Sequence, residues 1–352
     1  MLTLGQASSL TKTFAKWTAG IVGAIFLVII IIKVGTAVKE IISPTPPAPP
    51  TVIFGKLSSI EFPPNNTGVR YSYTVDTLTG SLPVFSDRAK VFKMVPDRAD
   101  LLALQKAQNK VSKVGFTSKG ILVSENIYEW TDEEPLLRKL TLNTLTSNFT
   151  LTSTFLTDPT ILSGSQIPDK NGAISLAQSF LSSMSSLPAD IDSSKTKSTL
   201  FSIKNGTLVP ATSFADTQII RVDLFQKDID KISIYYSNPI IPNISLLIGG
   251  KEDENKSQIV QVNYTYQGLT EENATYPIKT ADEAFSQLQE GKAFIASNSS
   301  NTNISNISIR NVLLGYYMGK NRQDYLLPIV VFEGDNNFIA YVSAVKDEWI
   351  SN

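Results

Sequence analysis

The chain has 352 residues, 42% of them hydrophobic and 18% charged, and its formal net charge is −1. It contains neither cysteine nor histidine, which excludes disulfides, thiolate nucleophiles, Ser-His-Asp triads and most zinc sites. Lys and Arg are not clustered as a phosphate-binding surface requires, so no nucleic-acid partner is expected.

Residues 1–16 read as a short cytoplasmic tail carrying Lys12 and Lys16 and no acid. From Trp17 the sequence WTAGIVGAIFLVIIII runs apolar or small to Ile32, is interrupted by Lys33, and continues to Val38. Residues 17–38 have the length of a bilayer-spanning helix, and 17–42 is the expected transmembrane anchor. Trp17 suits the membrane interface, and Lys33 can extend its amine to the far headgroups. The basic near flank places the N-terminus inside and everything after the anchor outside. A cleaved signal peptide ending near Gly35 and Ala37 is the competing reading, and it also exports the remainder. Residues 43–50, SPTPPAPP, form a spacer that proline holds in extended polyproline II. Up to Pro50 there are four basic residues and one acid; the remaining 27 basic and 31 acidic residues leave about −4 on the outer part.

The outer part reads as α+β. An N-terminal transmembrane helix is followed by two antiparallel-sheet subdomains with packed helices, expected at 51–160 and 161–352, with the boundary in the Pro- and Ser-bearing stretch from Asp158 to Lys170. The first expected helix starts from a cap at Asp97 and ends at Gly115. Its apolar stripe is Leu101, Leu104, Ala107, Val111 and Val114. The second follows Asp169 to Asn171, with Ile174, Ala177, Phe180, Leu181 and Met184 as its stripe and Pro188 as its stop. The third begins at Thr280, where Glu283 occupies the reciprocal position of a capping box, and Ala281, Ala284, Phe285 and Leu288 face one way.

Strands are expected at Val69–Thr77, Ala89–Met94, Gly120–Trp130, Leu140–Phe155, Ile219–Gln226, Lys231–Tyr236 and Ile259–Gln267. The last alternates most clearly, with Val260, Val262, Tyr264 and Tyr266 on one side. A strand at Ile307–Tyr317 precedes a closing hairpin: YLLPIVVF, the turn EGDNN, then FIAYVSAV. Ile329 to Phe332 is apolar on both faces, as in a covered central strand, so Pro328 belongs at its start or at a bulge.

This closing unit consists of a capped helix (TADEAFSQLQEGKAFI), a long strand ending in aromatics (ISIRNVLLGYY), a strand with internal proline (YLLPIVVFEG) and a last strand (NNFIAYVSAV). It resembles the C-terminal unit of YycH/YycI-type proteins and, more loosely, PepSY-like domains, over about the last 75 residues. The resemblance implies a single anchor, an extracytoplasmic α+β domain and a regulatory role, such as holding a membrane sensor kinase in check or inhibiting a protease. It implies no catalytic residues. The Asn- and Ser-rich tract from Ala296 to Ser308 departs from that pattern.

The remaining chemistry is sparse. Ser9/Lys12 and Ser194/Lys197 have the spacing of a Ser-Lys pair but lack its supporting motifs. Glu252, Asp253 and Glu254 lie in one polar loop, and Glu333 and Asp335 in another, without the ligand spacing of a calcium loop. N-x-S/T sequons occur at Asn65, Asn148, Asn205, Asn243, Asn255, Asn273, Asn298, Asn303 and Asn306, as abundant Asn, Ser and Thr produce by composition. No metal, cofactor or catalytic residue is expected. Adjacent tyrosines on a strand point to opposite faces, so one of each pair should be buried and its neighbour exposed. Tyr236, Tyr317 and Tyr325 are the expected interaction surface.

These features lead to a non-enzymatic, single-pass plasma-membrane protein whose outer domain regulates or binds another membrane or envelope protein. A structural or assembly component of the envelope is the alternative. An enzyme using carboxylates or Ser and Lys ranks third.

Overall fold

The computed structural model describes residues 17, 26–31, 33, 49–65, 71–132, 137–164, 166–250, 258–298 and 305–351. The chain divides into two units, Met1–Pro49 and Pro50–Asn352. In the first, Trp17, residues 26–31 and Lys33 are helical. Most of the expected anchor, with the tail and nearly all the spacer, lies outside the described residues. Among the described residues no helix is long and apolar enough to cross a membrane.

The second unit is mixed α+β, mostly sheet with few helices. In chain order its elements are β1 (Leu57–Ser58), β2 (Ser72–Val75), β3 (Arg88–Met94), α1 (Ala103–Ser112), β4 (Ile121–Ser124), β5 (Ile127–Asp132), β6 (Arg138–Asn143) and β7 (Phe149–Thr152). There follow α2 (Pro159–Ser163), α3 (Lys170–Ser183), β8 (Lys197–Lys204), β9 (Thr207–Pro210), β10 (Ile219–Asp223), β11 (Ile234–Tyr236), β12 (Ile244–Gly249) and β13 (Ile259–Tyr264). Last come β14 (Leu269–Pro277), α4 (Ala281–Gln289), β15 (Phe294–Ser297), β16 (Asn306–Met318), β17 (Tyr325–Gly334), β18 (Phe338–Ser343) and β19 (Ile350–Ser351).

Nine strands form one sheet in the order β4-β5-β6-β7-β13-β12-β10-β8-β9, antiparallel throughout. Helices α1 and α3 cover one face. Ala107 and Val111 from α1, and Ala177 and Leu181 from α3, pack with Trp130, Leu140, Leu151 and Val262. Ile161 of α2 packs on the opposite face with Ile219, Leu247 and Val260. Between these layers β12 is buried along its whole length.

The second sheet is built on β11-β16-β17-β18-β15, with β2 beside β16, β3 beside β17, and β14 beside β3. It is not purely antiparallel as expected: β2 and β11 both run parallel to β16, at its two ends. Helix α4 covers one face, placing Ala284 and Leu288 with Val330, Phe332 and Phe338. On the other face Tyr317, Ile329, Val331 and Tyr341 pack with Ile60, Phe62 and Tyr235.

The expected boundary at 160/161 does not divide these sheets. Strand β7, before it, pairs with β13, after it, and β3 pairs with β14 and β17. Segments near the two ends of the unit share one sheet with β11 (Ile234–Tyr236), while the other strands between Ile121 and Tyr264 make the nine-stranded sheet. A boundary inferred from a polar stretch cannot register pairings that close across hundreds of residues.

Local caps explain three of the helices: at α2 the Asp158 carboxylate accepts from the Thr160 and Ile161 amides. The Asp169 carboxylate accepts from the Gly172 amide at the start of α3. Thr280 and Glu283 form the reciprocal capping box at α4. Helix α1 departs from expectation: its N-cap is Leu102, without a side-chain cap. Asp97 instead pairs with Arg322. Of the expected α1 stripe, Ala107 and Val111 are buried, whereas Leu101 is 106% and Leu104 40% exposed.

Two long expected strands are hairpins. Asn126, at φ 57°, lies between β4 and β5, and Ser147, at φ 63°, between β6 and β7. Strand β17 is central, as expected. Pro328 lies inside it, where its partner on one edge changes from β3 to β18. The Pro328 carbonyl accepts from the Ala344 amide at 3.0 Å. Its missing N–H would point to that same edge, so proline falls at the gap in the ladder.

A candidate binding cleft beside the β16–β17 turn

Residues 319–324 link β16 to β17 and pass over the junction of the two sheets. The Asn243 amide, at the entrance to β12, donates to the carbonyls of Met318 at 3.1 Å and Gly319 at 2.9 Å. Gln267 and Gln323 exchange two bonds: the Gln267 side chain donates to the Gln323 carbonyl at 2.7 Å and accepts from the Gln323 amide at 3.1 Å. The Gln323 side chain accepts from the Gly319 amide at 2.8 Å, which closes the turn on itself. Arg322 pairs with Asp97 from the segment before α1, and Asn321 donates to Glu61 at 3.2 Å. A polar turn is thus pinned to both sheets.

Beside it opens a cleft of about 250 Å³, lined among others by Ser58, Ser59, Glu61, Asn321, Arg322 and Tyr325. An adjoining recess on the Gly319–Arg322 side is lined by Asp97, Asn148, Asn243, Tyr266 and Gln267. The Tyr325 ring lies 5.0 Å from Phe54 and is half-buried. Asp324 and Glu61 are exposed at the rim. Arg322 pairs with Asp97 and lies 4.0 Å from Asp324, so one guanidinium faces several carboxylates and the open side of the cleft leans acidic. Its hydroxyls, amides and one aromatic ring suit hydrogen bonding and stacking against a polar chain segment.

Only one of the three expected interaction tyrosines reaches this cleft. Tyr236 is 3% and Tyr317 1% exposed, which corrects the expectation that they form a surface. The premise that one of two adjacent tyrosines faces solvent fails because this sheet is covered on both sides. The Tyr317 ring meets Phe62 at 4.8 Å, and its hydroxyl bonds Ser237 at 2.7 Å. The neighbouring Tyr316 is also buried and donates to the Lys90 carbonyl at 3.0 Å. The Tyr236 hydroxyl accepts from the Gln226 amide at 3.1 Å. Burial pushes its pKa up to about 12 and raises that of Tyr317. These phenols are structural hydrogen-bonding groups.

The other sequence candidates do not converge. The Ser194 hydroxyl donates to Asp192 at 2.6 Å, while the Lys197 amine lies 5.4 Å over the Phe225 ring. Ser9, Lys12 and the acidic loop at 252–254 lie outside the described residues. In the EGDNN turn both Asp335 oxygens accept from Arg310, and Glu333 accepts from Asn311. That hydrogen bonding to Arg310 lowers the Asp335 pKa. Among the described residues no three carboxylates gather as metal ligands. Several sequon asparagines have side-chain bonds: Asn243, as above; Asn148, whose oxygen accepts from the Tyr266 amide at 3.0 Å; Asn65, which bonds Ala293 and Ile295; and Asn273, Asn298 and Asn306.

The residues that build the cleft, Asn243, Gln267, Gln323 and the Asp97–Arg322 pair, carried no sequence signal. Apart from the Gln323 side chain, which bonds Gly319 in its own turn, their partners lie 56 to 225 positions away, and single polar residues in a chain rich in them have no local pattern.

No family model matches the chain, and no curated protein matches it. Among solved structures it is similar to an uncharacterized protein from Eubacterium rectale, at 11% identity and a TM-score of 0.33, covering 78% of this chain and 88% of that one. It is also similar to the YpeB C-terminal domain of Bacillus megaterium, at 10% identity and a TM-score of 0.31, covering 72% of this chain and 95% of that one.

Proposed function

We propose that the chain is a single-pass, membrane-anchored extracytoplasmic module that acts by binding another membrane or envelope protein, in the manner implied by its resemblance to YycH/YycI-type regulators. The observation that carries this reading is the cleft at the β16–β17 turn, where Tyr325 and the acidic-leaning rim of Glu61 and Asp324 flank a turn tied to both sheets. Such a site suits an extended polar or basic segment of a partner better than a small apolar ligand. The anchor at 17–38 supplies the bilayer contact and brings the module to its partner in the plane of the membrane.

The test has two arms. A reporter active only outside the cytoplasm, fused after Asn352, reads topology, and signal is expected. A photoreactive side chain at Tyr325 in the full chain, activated in its native membrane, reads the site. A defined adduct with an integral membrane protein is expected, and the double variant Glu61→Lys, Asp324→Lys, which reverses the charge of the rim, should abolish it. A reporter active only in the cytoplasm sinks the topology. Adducts no more abundant at Tyr325 than at the exposed Leu78 sink the cleft as binding site.

A further inference from the structure

The nine-stranded sheet has two edges, β4 and β9, and among the described residues β4 has β5 as its one neighbour. Its residues Ile121, Leu122 and Val123 are 65%, 59% and 51% exposed, and no side chain of β4 is covered on either face. Natural sheets guard such an edge with charge, proline or a bulge, because its unpaired amides and carbonyls template another strand. Here no charge or proline interrupts the apolar run; the bulge between Leu122 and Ser124 in the β4–β5 ladder is the one guard within the strand.

A second apolar surface adjoins it. The Gln108 side chain on α1 accepts from the Gly120 amide at 3.4 Å and the Trp130 indole at 2.8 Å, so this side of α1 faces the start of β4. Leu104 lies one turn earlier on that side, and Leu101 sits in the turn that precedes the helix. Both are exposed, although they continue the stripe that Ala107 and Val111 bury.

The segment Lys119–Glu125, KGILVSE, is symmetric in kind about Leu122. In an antiparallel pairing with a second copy on a twofold axis at Leu122, Ile121 meets Val123, Gly120 meets Ser124, and Lys119 meets Glu125, each twice. Both charged residues are exposed, and neither has an ion-pair partner among the described residues. The register therefore brings apolar side chains together at the centre and two opposite-charge pairs at the ends, the arrangement that stabilises cross-strand neighbours. A lipid surface fits less well, since it selects clustered Lys and Arg and this segment carries an acid.

We infer that the β4 edge is an isologous interface, through which two copies of this chain associate with Leu122 facing Leu122 and Lys119 facing Glu125. The bulge keeps the shared ladder short, so side-chain burial by Ile121, Leu122 and Val123, extended by Leu104, carries most of the association.

The chain has no cysteine, so single-cysteine variants of the full chain, oxidised in the membranes of the expressing cell, read the geometry directly. At a twofold axis the paired Cα atoms fall near disulfide distance, about 4.5–5.5 Å. Leu122→Cys should form a covalent dimer roughly tenfold or more faster than Leu78→Cys, an exposed control whose cross-linking measures collision. Ile121→Cys mixed with Val123→Cys should cross-link better than either alone. Glu125→Lys in the Leu122→Cys background should remove the dimer, and adding Lys119→Glu should restore it. These charge changes lie on exposed side chains, and an unchanged melting temperature separates lost association from lost folding. Equal rates at Leu122 and Leu78 overturn the inference, as does a failure of the charge exchange to restore the dimer. A Leu122 adduct exclusively with a foreign protein also overturns it and assigns the edge to that protein. None of these outcomes bears on the Tyr325 cleft, whose photoreactive adduct is read separately.

Discussion

Burial decides what individual charged residues contribute. Asp223, on β10, is 1% exposed; one oxygen accepts from Arg221 at 2.8 Å, and the other has no hydrogen-bond partner. Burial raises its pKa from 3.8, and the nearby Arg221 and Lys197 only partly oppose that shift. The folded state therefore holds this proton more tightly than the unfolded chain does. Its contribution to stability falls as pH rises from about 3.8 through the folded pKa, then levels off. Asp223→Asn removes the titration, so the melting temperature of the variant minus that of the parent should rise across this window. A difference that shrinks with pH would show that the Arg221 pair outweighs desolvation. Val330 is the apolar counterpart, wholly buried on the central strand β17. Val330→Asp places a carboxylate where no partner waits, at a cost of several kcal/mol against a domain margin of roughly 5–15 kcal/mol. The expected outcome is loss of the soluble folded product; a variant that expresses and melts normally would show β17 to be peripheral.

At the scale of elements, the caps of the two longer capped helices, α3 and α4, were legible, whereas the Asp158 cap of the five-residue α2 was not, because it falls in a stretch read as a linker. Thr280 accepts from the Glu283 amide at 3.1 Å, and Glu283 accepts from the Thr280 amide at 2.7 Å. Thr280→Ala should cost about 1 kcal/mol, read by denaturant unfolding. The same logic failed at Asp97, which has the right residue type and spacing but is drawn away by Arg322. Asp97→Ala should therefore leave helicity unchanged and loosen the 319–324 turn, detectable as faster amide exchange there. A loss of helical circular dichroism would restore Asp97 as a cap. Strand positions were legible from alternation and apolar runs. Their hairpin breaks at Asn126 and Ser147 were not, because neither carries the glycine that marks a turn. The exposure of Tyr236 and Tyr317 was misread for a related reason: alternation reports two faces, and only tertiary structure reports that both are covered.

Across the whole unit, chain order and spatial order diverge, and this determines which pieces can fold. Strands β2 and β3, within 72–94, join a sheet otherwise built from 234–236 and 269–343. Meanwhile β7 at 149–152 depends on β13 at 259–264 for one of its two neighbours. A cut at 160/161 severs both sets of pairings and leaves α3 apart from Trp130, Leu140 and Leu151, with which it shares a core. Fragments 51–160 and 161–352, expressed separately, should each expose apolar strand edges and aggregate or stay unfolded. The fragment from Thr51 onward keeps every pairing among β1–β19 and should fold as a soluble, cooperative unit, with one transition by near- and far-ultraviolet circular dichroism. If 161–352 alone gives dispersed amide resonances and a sharp melt, the β3–β14 and β7–β13 ladders are dispensable, and a divided unit replaces the interlocked one. If instead the Thr51 fragment fails while the full chain folds, residues 1–50 are part of the fold.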